Sequence, residues 1–261
     1  MKAWQRVLAA LALAAALLPA QAGRSCEPHT PDTESLIKAM NLAERTARAL
    51  DASGADVVVI ARSGQDLRKY RLRWSHLGLA YRDADSGAWR IVHKLNECGS
   101  DRADLHRQGL AEFFLDDLFQ YRAGFAVLKP EVQQRLLPVL RDNRRAAALH
   151  TARYNMLAYP WALSYQQSNQ WAIETLAAAH LPPPVSRERA QAWLRLAAYE
   201  PTVLDIPAFT RLGARMTAAN IAFDDHPNEK RYAGRIETVT VDSVFAWLER
   251  TGLASALEVL P

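Results

Sequence analysis

The feature that most restricts the fold is a pair of alternating segments joined by a short polar loop. Leu72, Trp74, His76, Gly78 and Ala80 fall on one side, and Arg73, Ser75, Leu77, Leu79 and Tyr81 on the other. Such alternation belongs to an extended strand, where successive Cβ atoms point to opposite faces. Asp83-Ala84-Asp85-Ser86-Gly87 reads as a hairpin loop with glycine near its end, and Trp89 to Leu95 as the return strand. A β-branched run, Val57-Val58-Val59-Ile60, predicts a further, buried strand.

Helical periodicity surrounds these strands. Leu36, Met40, Ala43, Ala47 and Leu50 predict a helix over 33–50, capped by Asp32 or Thr33. A helix is expected over 101–115 and an extended piece near Phe125-Ala126-Val127-Leu128. Pro130 suits the first turn of a helix running to about Asn143, with a second over 144–150. Tyr154 to Gln167 is aromatic and irregular. A helix opens at Ser168 and stops at Pro182-Pro183-Pro184, another runs from Arg187 to Tyr199 behind a Ser186 cap, and a short one covers 207–214. Ile236–Val241 reads as a strand and Ser243–Arg250 as a final helix. This order predicts an α+β fold: a small antiparallel sheet, the hairpin central, packed by helices on one side.

The N-terminus reads as a secretory signal. Lys2 and Arg6 precede the apolar run Val7–Leu18, which ends at Pro19-Ala20-Gln21-Ala22, an A-x-A cleavage pattern. The run is shorter than the roughly 20 residues a spanning helix needs. The expectation is therefore a signal over 1–22 and a single α+β domain over 23–261, periplasmic or secreted, with no transmembrane segment in the mature chain. Cleavage removes Lys2 and Arg6 and leaves 30 basic residues against 28 acidic ones. No basic face or arginine run stands out, so nucleic acid is not an expected partner. The chain has two cysteines, Cys26 and Cys98, and an even count in an oxidising compartment predicts a disulfide between them.

The residues most suited to chemistry sit on the hairpin. His76 lies mid-strand, with Gly78 on the same face leaving room beside the imidazole. His93 lies on the return strand, and across the short loop the two become neighbours. Such a pair suits a general base and the group that orients it, and equally a structural pair. Ser168 opens a helix, where N–H groups and the helix dipole favour developing negative charge; serine there is also an ordinary helix cap. Tyr165, Gln166, Gln167, Asn169, Gln170 and Trp171 crowd around it, and with Trp74 they suit either a ligand or simple packing. Asp224, Asp225, His226 and Glu229 read as a polar loop rather than as metal ligands. Glu112, Asp116 and Asp117 read as solvated acids. No metal or cofactor is expected.

Strand-borne Ser75-His76-Leu77-Gly78, then His93, then Ser168 at a helix start, resembles the circularly permuted branch of the NlpC-like, papain-like hydrolases, which includes lecithin–retinol acyltransferase-like proteins. The resemblance spans about residues 55–180 and implies a permuted papain-like architecture. It also implies His76 as base, His93 as the third polar group, and Ser168 in the place of the family's cysteine. The departure matters: a helix N-terminus brings a thiol into a useful pKa range, whereas a serine hydroxyl depends wholly on its base. Nearly the whole mature chain is also similar to a family of uncharacterised secreted bacterial proteins, through Cys98-Gly99-Ser100, Gln108-Gly109-Leu110-Ala111-Glu112-Phe113-Phe114, Ser168-Asn169-Gln170-Trp171 and Phe223-Asp224-Asp225-His226-Pro227. Two functions follow as expectations. One is a non-catalytic or degenerate site that binds a cell-wall peptide, sugar or lipid. The other is an amide or ester hydrolase, or acyltransferase, with Ser168 as nucleophile and His76 as base.

Overall fold

A computed structural model describes residues 30–116 and 118–261. The expected signal over 1–22 and Cys26 lie outside them. In chain order the elements are α1 (Thr33–Ala52), β1 (Val57–Ser63), β2 (His76–Arg82), β3 (Trp89–Asn96), β4 (Ala103–Gly109), α2 (Leu110–Phe114), β5 (Gln120–Val127), α3 (Pro130–Arg141) and α4 (Asn143–Ala147). They continue with α5 (Ser168–Ala178), α6 (Arg187–Leu196), β6 (Thr202–Asp205), α7 (Ala208–Thr217), α8 (Asn228–Tyr232), β7 (Arg235–Thr238), α9 (Val241–Arg250) and β8 (Glu258–Leu260). Six strands form one antiparallel sheet in the order β4-β3-β2-β1-β5-β8, and β6 pairs with β7 separately. The α+β class and the antiparallel sheet packed by helices are as expected.

Local signals placed several elements. Asp32 caps α1 by accepting from the Ser35 N–H at 2.7 Å, Ser186 caps α6, and Pro130 opens α3. The hairpin forms as expected, with Leu79 opposite Val92 and Arg82 opposite Trp89. The alternation before His76 is not strand, because Arg68–Tyr70 forms a 3₁₀ turn and Arg71 takes a left-handed φ of 59°.

Two expectations are corrected. Helices cover both faces of the sheet, not one. Val57, Val59, Leu77, Leu79, Tyr81 and Val92 pack with α3, α5, α6 and α9, whereas Val58, Ile60, Ala80, Ile91 and Phe125 pack with α1 and α2. The expected helix over 101–115 is instead the edge strand β4, paired with β3 from Asn96↔Ala103 to Arg90↔Gly109, followed by one helical turn in α2. The polar sequence Ala103-Asp104-Leu105-His106-Arg107-Gln108 has no strand signature of its own; the free edge of β3 imposes the extended state.

A buried polar network ties α5 to α6 and to the sheet. The Arg187 guanidinium meets the Glu174 carboxylate at 2.8 Å, both side chains almost wholly buried. Gln166 and Gln191 each donate to Glu174 at 2.7 Å. The Lys94 ammonium donates to the Thr151 carbonyl at 2.6 Å and to the Gln166 amide oxygen at 3.0 Å. Burial, and then the Arg187 charge, bring its pKa down to about 7.

Gly78 has a packing reason rather than a ligand reason. A Cβ there would lie 2.5 Å from Ile91 Cγ2, so the space expected beside the imidazole is already filled. Gly78→Ala is therefore expected to cost about 1–3 kcal/mol in urea unfolding at neutral pH, and Gly78→Ala/Ile91→Ala, which removes the clashing Cγ2, to cost less than the sum of the two single changes. Glu174→Ala removes one partner of a buried pair and is expected to cost about 3–5 kcal/mol in the same assay.

Candidate functional site

The site forms where β1, β2, β3 and β4 turn one face toward α2. Arg62 stands opposite His76 in the β1–β2 register, and His93 stands opposite His106 in β3–β4. All four strands are antiparallel neighbours, so a period-2 pattern gathers their side chains on one side. His76 and His93 come together as expected: Nε2 of His76 lies 2.8 Å from Nδ1 of His93. Nε2 of His93 lies 2.8 Å from Oε1 of Gln108. Because the amide oxygen only accepts, His93 donates from Nε2 and must accept at Nδ1, so His76 donates from Nε2. The lone pair of His76 therefore sits on Nδ1.

Both rings are neutral over the physiological range. Burial, with the Arg62 charge second, holds the His76 pKa well below its ordinary value. The same two causes bring His93 down to about 3. Phe113 lies edge-on to His93 at 5.3 Å and tilted to His76 at 6.0 Å. The Arg62 guanidinium lies over that same ring at 4.7 Å, donates to the Phe113 carbonyl and pairs with Asp116. Its side chain is almost wholly buried, whereas Asp116 is half exposed. Arg62, Leu95, Gln108, Glu112, Leu115 and Asp116 line a cleft of about 310 Å³. Gln108 thus ends the imidazole chain and also faces the cleft, so a molecule that engages its amide acts on the hydrogen-bond chain behind it.

Ser168 is not part of this set. It belongs to α5, whose Trp171, Ala172 and Ile173 pack with Leu77, Leu79 and Val92 on the other face of the sheet from His76, Gly78 and Ile91. Its side chain is buried. Nor is it the cap: Gln167 holds that position, accepting from the Asn169 N–H at 3.2 Å.

The other expected binding residues are turned inward. Gln167 donates at 2.7 Å to Thr238 Oγ1 and to the Val239 carbonyl. Asn169 accepts from the Leu77 N–H at 3.1 Å, and Gln170 reaches the Pro160 carbonyl. Tyr165 donates to Asp224 and stacks with Arg153, and Trp74 packs onto Gly124. These groups are committed to partners within the protein, Gln170 to the irregular 154–167 segment and Gln167 and Asn169 to the Val239 carbonyl, which is the packing account of them.

His226 is likewise a clamp, with Nδ1 2.9 Å from Asp225 and Nε2 2.9 Å from the Glu237 carbonyl. Among the described residues no group of three or more His, Cys, Asp or Glu is placed to hold a metal, and no helix is long and apolar enough to cross a membrane. None of them is a free cysteine. The Cys26–Cys98 pairing involves a residue outside the described ones.

Sequence reasoning missed Arg62, Gln108, Glu112 and Asp116 as a group. Arg62 follows Val57–Ile60, a run that reads as uniformly buried, and nothing local marks it as lining a cleft. Gln108 was hidden by the helical reading of β4.

An antiparallel sheet covered by helices on both faces, with a neutral imidazole pair behind a mixed-charge cleft, defines an α+β protein. The chain belongs to the family described as an uncharacterised protein conserved in bacteria (DUF2145), whose model matches residues 49–248. No curated protein and no solved structure matches it.

The depressed histidines set a sign for pH dependence. An unfolded histidine takes up its proton near pH 6.5, whereas folded His93 stays neutral down to about 3. The unfolded state therefore binds more protons in that window, and stability falls as pH falls from about 6.5. His93→Gln is expected to reduce this slope by up to about 1.4 kcal/mol per pH unit between pH 6.5 and 5, read from urea unfolding at each pH.

Proposed function

We propose that this protein is a non-catalytic ligand-binding protein of the bacterial cell envelope, exported by its N-terminal signal, and that its ligand is a cell-wall peptide held in the Arg62–Gln108 cleft. The observation that carries the reading is the separation of Ser168 from His76 by the sheet: a hydroxyl needs its base within hydrogen-bond reach to become a nucleophile. On this reading the order His76, His93, Ser168 that resembles the permuted papain-like hydrolases is a matter of spacing and not a catalytic set.

Of peptide, sugar and lipid, the peptide is favoured by the lining. Leu95 and Leu115 give apolar walls, Gln108 gives an amide, and Arg62, Glu112 and Asp116 bring charge of both signs. A stem peptide carries both carboxylates and amines on small side chains, and its polar backbone suits an amide that both donates and accepts.

The test is calorimetric titration of the mature protein with a muramyl tripeptide, together with a fluorophosphonate probe for an activated serine. Binding by the wild type is expected, weakened roughly tenfold or more by Gln108→Ala or Glu112→Gln. Ser168→Ala is expected to leave binding intact. Probe attachment at Ser168, or hydrolysis of the peptide that Ser168→Ala abolishes, would overturn the proposal in favour of the hydrolase.

A further inference from the structure

Helix α7 is amphipathic with its apolar side facing away from the protein. At 100° per residue, Phe209, Leu212 and Met216 fall on one ridge, while Arg211 and Ala214 fall on the opposite side. The opposite side is the one that packs: Ala214 and Ala218 lie against the Leu204, Ile206, Phe223 and Ile236 cluster, and Arg211 lies over Phe223 and donates to the Ile206 carbonyl at 2.6 Å. The ridge is left outward, with Phe209 90% exposed, Leu212 59% and Met216 78%. Three large apolar side chains in a row on one helix are not the scattered exposure that ordinary surfaces show.

The charge around the ridge says what it meets. Residues 206–223 contain Arg211 and Arg215 and no acidic residue. Arg215 sits on the flank of the ridge with its side chain more than half exposed and its nearest acid, Asp224, 3.8 Å away. The Ile206 N–H to Gly234 carbonyl bond, 2.9 Å, sets the start of α7 beside the end of α8, where Tyr232 is also exposed. Apolar teeth flanked by Arg215, with an exposed aromatic nearby, match a helix lying in the interface of an anionic bilayer. The area argues against a second copy. Ten helical residues span about 15 Å, and one such face is small beside the roughly 800 Å² per partner of a stable dimer. A lipid surface imposes no such minimum.

We propose that α7 docks the protein on an anionic lipid surface, with Phe209, Leu212 and Met216 entering the headgroup–acyl boundary and Arg215 at the phosphates. The site is independent of the Arg62–Gln108 cleft.

The experiment is co-sedimentation of the mature protein with vesicles of phosphatidylethanolamine and phosphatidylglycerol, against vesicles of phosphatidylcholine alone. Binding to the anionic vesicles is expected, weakening as salt rises. Phe209→Ser and Met216→Ser should each lower it roughly tenfold or more, and Arg215→Gln roughly fivefold. These side chains are exposed, so the thermal midpoint should stay unchanged and serves as the folding control. The absence of binding to anionic vesicles would overturn the proposal, as would binding that the double variant Phe209→Ser/Met216→Ser leaves intact. A wild-type dimer in light scattering that the double variant converts to monomer would also overturn it, assigning the ridge to a second copy.

Discussion

His93 and Lys94 stand side by side on β3, both fully buried, and the strand turns them to opposite faces. Burying a polar group without a partner costs free energy on the order of a few kcal/mol, so each must find its partners within its own layer. On one face His93 is held between His76 and Gln108, and on the other Lys94 is held by Thr151 and Gln166. His93 finds its partners on the neighbouring strands β2 and β4, whereas Lys94 finds its partners in the segment that leads into α5. With α1 and α2 covering one face and α3, α5, α6 and α9 the other, water reaches neither group and these bonds replace it.

The two layers use polar residues differently. Behind α5 the network is closed: Glu174 accepts from Arg187, Gln166 and Gln191, and every partner is itself buried. A closed network of that kind specifies one packing arrangement and leaves nothing for a ligand. Under α2 the chain is open at one end. His76 and His93 are neutral beside the Arg62 charge, and Gln108 reaches the cleft wall. The functional proposal rests on that asymmetry, since a ligand reaches only the layer whose hydrogen-bond chain ends at a surface.

Much of the site was legible in the residues. The short Asp83–Gly87 loop forces β2 and β3 into register, so His76 and His93 had to be neighbours whatever else the chain did. The cleft was not legible. Arg62 sits in a run that reads as uniformly buried, and Gln108 sits in β4, whose polar side chains match a solvated helix as well as an edge strand. Asp116 had the look of a solvated acid and is half exposed, yet it pairs with a buried guanidinium that comes from 54 positions earlier in the chain.

By itself the sequence determined the hairpin, the adjacency of the two histidines, and the helix starts at Asp32, Pro130 and Ser186. Each depends on residues within a few positions of one another, through alternation, φ restriction or a cap. Only the tertiary structure decided that β4 is a strand, that both faces are covered, and that Ser168 faces away from His76. Period-2 alternation says which residues share a face but not which helix will cover it. That choice rests on contacts such as Asn169 with Leu77, 92 residues apart in the chain, where no local rule acts.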